Sequence, residues 1–463
     1  MTDVLAGVKA MHTTTERSDQ TEKLNLPRTF KIGSFHVGSA FSDMLTSAVW
    51  NRVLISDLGV LATPVALLSA LRYLLAPLSI WAGNRSDSHP IFGRHRTPYI
   101  WTGRGLMVLG LLLTPLSTLQ IAENAASVVG WVLATLAFLI YGIGTLISGS
   151  PFMALIRDRT PPSKRGQALS IAQIMLLVAS VIVPGIYAAV MKHYSPEAFF
   201  RTVLVGVGLA IPFWFFSVLG EDRRGAAAPA TPDAGPAVGF LPLLRMIWAD
   251  PRPRAFFLLL ALGSICAFAQ DAILEPFGGD VFGLDVGATT RFNAFWGLGV
   301  LISMIATTVI TRRRAPHEQT PTARLGLFLS ALPLALIGVV GFFKLQALLI
   351  PAIFLFGVGF GVYTVGAIGL LMAMTTDRHA GAYLGLWTVA QLVFRGVGMA
   401  LGGVLRDVVL WMTGTPALAY GSVFVLSAFG LLVCVGILAR VDAPGFAAGR
   451  APAAASALAM ADA

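Results

Sequence analysis

Apolar residues dominate the chain in long runs, interrupted by short polar connectors. A run needs about 20 residues to cross the hydrocarbon of a bilayer. Runs of that length fall near 30–55, 61–82, 98–119, 127–155, 166–191, 199–220, 254–275, 288–311, 323–343, 347–374, 381–405 and 416–439. The pattern predicts an all-α polytopic membrane protein of about twelve transmembrane helices. The connectors are short except at 221–253, where "RGAAAPATPDAGPAVG" reads as a linker. The chain therefore divides into a tail at 1–28, a six-helix half at 29–220, the linker at 221–253, a second half at 254–440 and a tail at 441–463.

Composition agrees: 56% of the 463 residues are hydrophobic and only 12% are charged, against roughly 25% charged in soluble domains. A net charge of +10 would suit a nucleic-acid partner if it were spread over a surface. Instead the basic residues gather in alternate connectors, at Arg85, Arg94, Arg96 and Arg104, at Arg157, Arg159, Lys164 and Arg165, and at Arg312, Arg313 and Arg314. The opposite connectors hold only Lys192, Arg201, Arg291 and Lys344. This is the positive-inside pattern of a multi-pass protein with both termini cytoplasmic, and it removes the argument for nucleic acid. The first 28 residues are polar and lack the charged-then-apolar order of a signal peptide. Cys266 and Cys434 lie separately within apolar runs and read as packing residues.

Ionisable groups inside spans are costly, which makes each a functional candidate. Asp43 is the deepest acid of the first span, suited either to proton coupling or to pairing with an arginine. Asn51 and Arg52 fall near the far end of that span, where the arginine can reach the interface. Arg72 in the second span and Arg395 in the eleventh lie near mid-membrane by count, and each needs an acid, backbone carbonyls or a polar ligand. His36 is able to ligate a magnesium macrocycle through a neutral ring nitrogen, although a hydrogen-bonded helix residue is the more common fate of a lone His. Glycine-rich stretches in the fourth and tenth spans, "YGIGTLISGSPF" and "FGVGFGVYTVGAIG", suit close helix packing. The chain has no P-loop, HExxH, CxxC pair or nucleophile–base motif, so it reads as a non-enzyme, and any transport would be secondary.

"AQDAILEPFGGDVFGLDVGATT", Ala269 to Thr290, places Gln270, Asp271, Glu275 and Asp280 at the end of the seventh span. By rise per residue, about 21 residues from Arg254 bring Glu275 to the far edge of the membrane. Pro276 disfavours helix at Glu275, and Gly278–Gly279 permit a sharp turn. Asp271 and Glu275, four apart, would share a helical face and invite a proton or a cationic or magnesium partner.

Two resemblances follow. "GNRSDSHPIFGRHRTP" resembles the loop signature of the major facilitator superfamily through Gly83, Asp87, Gly93, Arg94 and Arg96, with a spacing similar to its sugar-symporter branches. The resemblance implies a two-half transporter fold with a conformational gate at this loop, Asp87 pairing with basic residues or with a helix N-terminus. More specifically, "QDAILEPFGG", "VGATTR", "NRVLISDLGV", "SDSHPIFGRHRTPYIW" and "GMALGGVLRD" resemble the bacteriochlorophyll delivery (PucC/LhaA-like) family within that superfamily. The long N-terminal tail, the Ala-rich linker and "RDRTPPSKRGQALS" depart from it. The resemblance implies a factor in the inner, photosynthetic membrane that delivers (bacterio)chlorophyll to light-harvesting antenna polypeptides, or meets its biosynthetic enzymes. The pigment would be cargo, and no cofactor or metal is firmly implied. The residues alone also suit a proton-coupled symporter using Asp43, Asp271 and Glu275, or an antenna-assembly scaffold without transport.

Overall fold

The computed structural model describes residues 23–222, 245, 248, 251–374 and 380–448. Much of the expected linker and the outer parts of both tails lie outside the described residues. The rest is helical, apart from one isolated bridge between Ile91 and Arg94.

The first span, α1, runs Leu26–Met44 and continues through a π-helical turn at Leu45–Val49, the segment Trp50–Arg52 and a second π-helical turn at Val53–Asp57. There follow α2 (Ala62–Ser88, with a break after Leu74), α3 (Thr97–Glu123), α4 (Val128–Arg159), α5 (Arg165–Val190) and α6 (Pro196–Val218). In the second half, α7 (Pro251–Phe268) and α8 (Leu274–Phe282) form one interrupted span. They precede α9 (Val286–Thr311), α10 (Thr320–Phe342), α11 (Leu349–Ala373), α12 (Ala380–Thr413) and α13 (Pro416–Leu438). Among the described residues, 11 helices are long and apolar enough to cross a membrane. The first expected span falls outside that set because it carries His36, Asp43, Asn51 and Arg52 together with several serines.

Packing repeats between the halves. α1 lies on α5 and α6 as the α7 span lies on α12 and α13, and α3 pairs with α4 as α10 pairs with α11. Across the halves, α2 packs on α12 and α5 on α9. These two seams exchange under a twofold axis relating the halves, as in facilitator-type transporters.

Four glycines let α12 pack closely both on its own half and across the first seam. Gly398 and Gly402, one turn apart, press on the backbone of Ile265 and Ala269 in the seventh span, and Gly396 and Gly403 face Tyr73, Leu74 and Ala62 of α2. With lipid on the outside, such close approach replaces the hydrophobic drive that brings helices together in water. The α2–α12 seam carries the central site, so its tightness fixes where Arg72 and Arg395 can lie.

A methyl group at Gly402 would collide with the carbonyl oxygen of Ala269. Gly402→Val should therefore cost about 1–3 kcal/mol through overpacking. The expected outcome is a lower thermal midpoint in detergent, whereas Gly185→Ala, where an added Cβ meets nothing, should keep the midpoint or raise it slightly.

Candidate functional site

A cavity of about 470 Å³ lies between the halves. Asp43, Arg72, Gln270, Asp271, Glu275 and Arg395, the six ligand or proton-coupling candidates, all line it. Two ion pairs dominate. Arg72 Nη1 donates to Asp43 Oδ1 at 2.7 Å within the first half. Arg395 donates from Nη2 and Nε to Asp271 Oδ2 at 2.7 and 3.1 Å within the second. Tyr73 lies between them, its ring centroid 4.6 Å from the guanidinium carbon of each arginine. Tyr141 donates to Asp43 at 2.9 Å, and Arg72 Nη2 donates to the Tyr73 hydroxyl at 2.7 Å. The first π-helical turn of α1 begins two residues after Asp43; such bulges are frequent at functional sites.

The acids of the seventh span are not at a membrane edge, which corrects the expectation from residue counting. The helix breaks at Ala269–Ile273 and resumes as α8, so the span continues to Phe282 and Glu275 lies inside it. Pro276 is tolerated because it falls in the first turn of α8, where its missing N–H has no intrahelical partner to lose. Asp271 sits in the break and Glu275 in the helix, so the two line one cavity without sharing a regular helical face. Gly278 and Gly279 make no sharp turn. They let α8 approach its neighbours, Gly278 against Thr289 and Phe292 and Gly279 against Arg52 and Ser56 of α1. The turn comes at Gly283, in the left-handed region at φ 67°. Glu275 accepts a hydrogen bond from Asn293 of α9, and its other oxygen has no hydrogen-bond partner among the described residues.

Beyond the cavity, the face opposite the described ends of the chain is closed by contacts between halves. Arg52 is buried at 4% exposure. It pairs with Asp57 at 2.8 Å and donates to the Leu284 carbonyl at 2.9 Å, so it does not extend into the interface as its position suggested. Asn51 is fully buried and accepts from Ser69 at 2.7 Å. Asp407 of α12 accepts the N–H groups of Ala62 and Thr63 at 3.0 and 2.7 Å, capping α2 from the other half. Arg406 pairs with Asp280 at 3.0 Å, and Tyr420 donates to the same carboxylate at 2.6 Å.

The loop between α2 and α3 gathers its predicted residues. Asp87 pairs with Arg96, which also reaches Asp158 of α4 at 3.0 Å and Ser86 at 2.8 Å. The N-terminus of α3 is held by Asp222, which accepts from Arg96 and Thr97 at 2.8 Å each. The ion-pair partners Asp87, Arg96 and Asp158 all belong to the first half, and Asp222 comes from the expected start of the linker. Gly83 brings α2 onto Ser150, while Phe92 and Gly93, both at positive φ, turn the loop so that Arg94 faces Ile91. At the expected start of the linker, Glu221 pairs with Arg28 and Lys31.

His36 is half-buried against Phe35 and Phe152, away from the cavity wall. Arg104 belongs inside α3 and not in the basic connector to which the sequence assigns it. Its guanidinium lies 4.0 Å from the Phe35 ring and 4.8 Å from Trp214, and Nη1 meets Met107 Sδ at 3.0 Å. Sequence reasoning also missed Tyr73, Tyr141, Asn293 and Asp407. The Arg406–Asp407 pair offered the signal, as two adjacent charges within an apolar run. Among the described residues no group of three or more His, Cys, Asp and Glu side chains is placed to hold a metal ion, and both cysteines are free and buried.

With this geometry in place, comparison with known proteins identifies the family. The model of the PUCC protein family matches residues 49–446. The chain belongs to the PUCC family. Protein PucC of Rhodobacter capsulatus is 28% identical over 435 residues, covering 90% of this chain and 92% of that protein. An uncharacterized protein of the puhA-bchM intergenic region of the same organism is 25% identical, covering 92% and 91%. In fold, the chain resembles a bacterial homologue of the iron transporter ferroportin in its inward-facing state, at TM-score 0.66 and 14% identity over 91% of this chain and all of that one. The nucleoside transporter NupG matches at TM-score 0.64 and 12% identity, over 90% of this chain and all of that one. The PUCC family on this fold resembles transporters and assembly factors rather than enzymes, and the chain is a multi-pass membrane protein.

The Asp271–Arg395 pair yields a two-sided prediction. Arg395→Leu strands a buried carboxylate, an effect worth about 3–5 kcal/mol, and should sharply reduce the yield of folded protein. Asp271→Asn with Arg395→Gln should restore most of it, measured as monodisperse protein on size exclusion. At the closed face, Asp407→Ala removes a cap worth about 1 kcal/mol. It should raise maleimide labelling of a cysteine placed at Thr63, relative to the same reporter with Asp407 intact.

Proposed function

We propose that the protein is a membrane assembly factor that handles (bacterio)chlorophyll and delivers it to light-harvesting antenna polypeptides. The reading rests on PUCC membership across most of the chain. The relative called bacteriochlorophyll synthase 44.5 kDa chain, 28% identical over 91% of this chain, supports a pigment connection by its name. On this reading the chain sits in the bacterial inner membrane with both termini cytoplasmic, in keeping with the basic connectors on that side. Residues 29–220 and 254–440 act as the moving halves. The loop carrying Gly83, Asp87, Gly93, Arg94 and Arg96 serves as an internal brace, since its ion pairs stay within one half. A cavity of about 470 Å³ lies at the lower end of ligand pockets, roughly 300–1,000 Å³. A tetrapyrrole with a long alkyl tail is larger, which favours lateral hand-over with the tail in the bilayer over complete enclosure.

The transporter alternative has its own support in the cavity: Glu275 is 3% exposed, and Asn293 hydrogen-bonds its carboxyl, a placement suited to carrying a proton. Two experiments separate the readings. Protein purified from a phototrophic host should retain chlorin absorbance and antenna polypeptides; finding neither counts against pigment handling. Glu275→Gln should lower antenna assembly several-fold while leaving membrane insertion intact if the carboxyl participates. Unchanged assembly would leave that side chain a packing role only.

A further inference from the structure

The two ion pairs of the cavity are not presented equally. In the first half the acid is the accessible partner, with the Asp43 side chain 38% exposed and Arg72 10%. In the second half the base is accessible, with Arg395 31% exposed and Asp271 14%. Asp43 makes its side-chain hydrogen bonds through Oδ1, to Arg72 and Tyr141. Arg395 makes its bonds through Nε and Nη2. Among the described residues, none of these bonds engages Asp43 Oδ2 or Arg395 Nη1, and both side chains line one cavity with both ion pairs intact.

We propose that this cavity binds a small dipolar ligand, a cationic nitrogen against Asp43 Oδ2 and a carboxylate against Arg395 Nη1, joined by a short apolar spacer. The spacing is bounded through Tyr73: each guanidinium carbon is 4.6 Å from its ring centroid, so the two arginines are no more than twice that distance apart, and Asp43 lies one hydrogen bond of 2.7 Å beyond Arg72. Phe268, Leu176, Trp296 and Met304 line the same cavity and suit an unbranched hydrocarbon middle. A purely apolar guest would cover two charged groups and strip their solvation without replacement, which is costly. A guest of single charge would replace the lost solvent at one of these groups and leave the exposed edge of the other covered without a partner. Because the acid and the base come from different halves, a dipolar guest would also bridge them, favouring the arrangement in which both face one space. This site is independent of pigment hand-over, for which the ligand and its size differ.

The test uses the purified full chain in detergent, with ε-aminocaproate and δ-aminovalerate as probes and hexanoate and hexylamine as singly charged controls, at matched ionic strength. Isothermal titration should give saturable binding of at least one dipolar probe at least tenfold tighter than either control. Asp43→Asn should abolish that preference, and Asp271→Asn with Arg395→Gln should weaken the carboxylate end. Equal affinity for dipolar and singly charged probes, or no saturable binding of either dipolar probe, overturns the proposal. That comparison needs only the unaltered protein, so it stands even where a variant fails to fold. Chlorin absorbance measured on the same preparation reports on pigment handling separately.

Discussion

Two guanidinium groups share one phenol ring at the centre of this bundle, and the arrangement of the halves depends on keeping both neutralised. An isolated cation in the bilayer interior is costly, and two beside the ring of Tyr73 would also repel each other. Each arginine is matched by an acid of its own half, Arg72 by Asp43 and Arg395 by Asp271. The charges therefore cancel within each six-helix unit before the units meet. What crosses the seam at this level is the weaker attraction of Arg395 for the ring of Tyr73, which Arg72 of the first half also meets. Such a joint is strong enough to register α2 on α12 and weak enough for the halves to move.

The seam is laid out in levels. At the closed face, directional bonds hold the halves: Asp407 caps α2, and Arg52 reaches the Leu284 carbonyl. At mid-height, Tyr73 joins the two arginines, and between these levels the glycines of α12 fix the separation. In a lipid environment polar bonds between helices and small-residue contacts supply specificity that burial of apolar surface cannot. The loop at Asp87 differs, because its ion pairs to Arg96 and Asp158 brace the first half internally.

The periodicity of apolar runs made the helices legible, because twenty-residue spans are a direct consequence of bilayer thickness. The charged candidates were legible for a related reason: Asp43, Arg72, Asp271 and Arg395 are conspicuous in apolar surroundings. Their partners were not, since pairing across 29 and 124 positions is a property of packing that local sequence does not encode. Residue counting failed at Glu275 for a definable reason. It assumed an unbroken helix ending at the membrane surface, whereas the span is interrupted at Ala269–Ile273 and continues to Phe282. Arg104 was misread because its distance from the connector is small in sequence, although two turns of α3 carry it in between Phe35 and Trp214.

The segment from Gln270 to Asp280 joins these levels physically. At its start Asp271 faces the cavity and holds Arg395; at its end Asp280 holds Arg406 beside the cap on α2. Between them Phe277 is fully buried among Phe282, Tyr420 and Phe424, which fixes α8 as a rigid piece, while the break before it provides a hinge. Gly279 sets that piece against Arg52, whose Nη2 binds the carbonyl of Leu284 just beyond α8. A tilt of α8 would therefore disturb the closed face and the cavity together, with no chain of loosely packed residues in between to absorb it. Asp271 in the break and Asp280 near the far end of α8 thereby link ligand space to the closed face, and this gives a physical reason for the sequence to place Asp271, Glu275, Gly279 and Asp280 so close together.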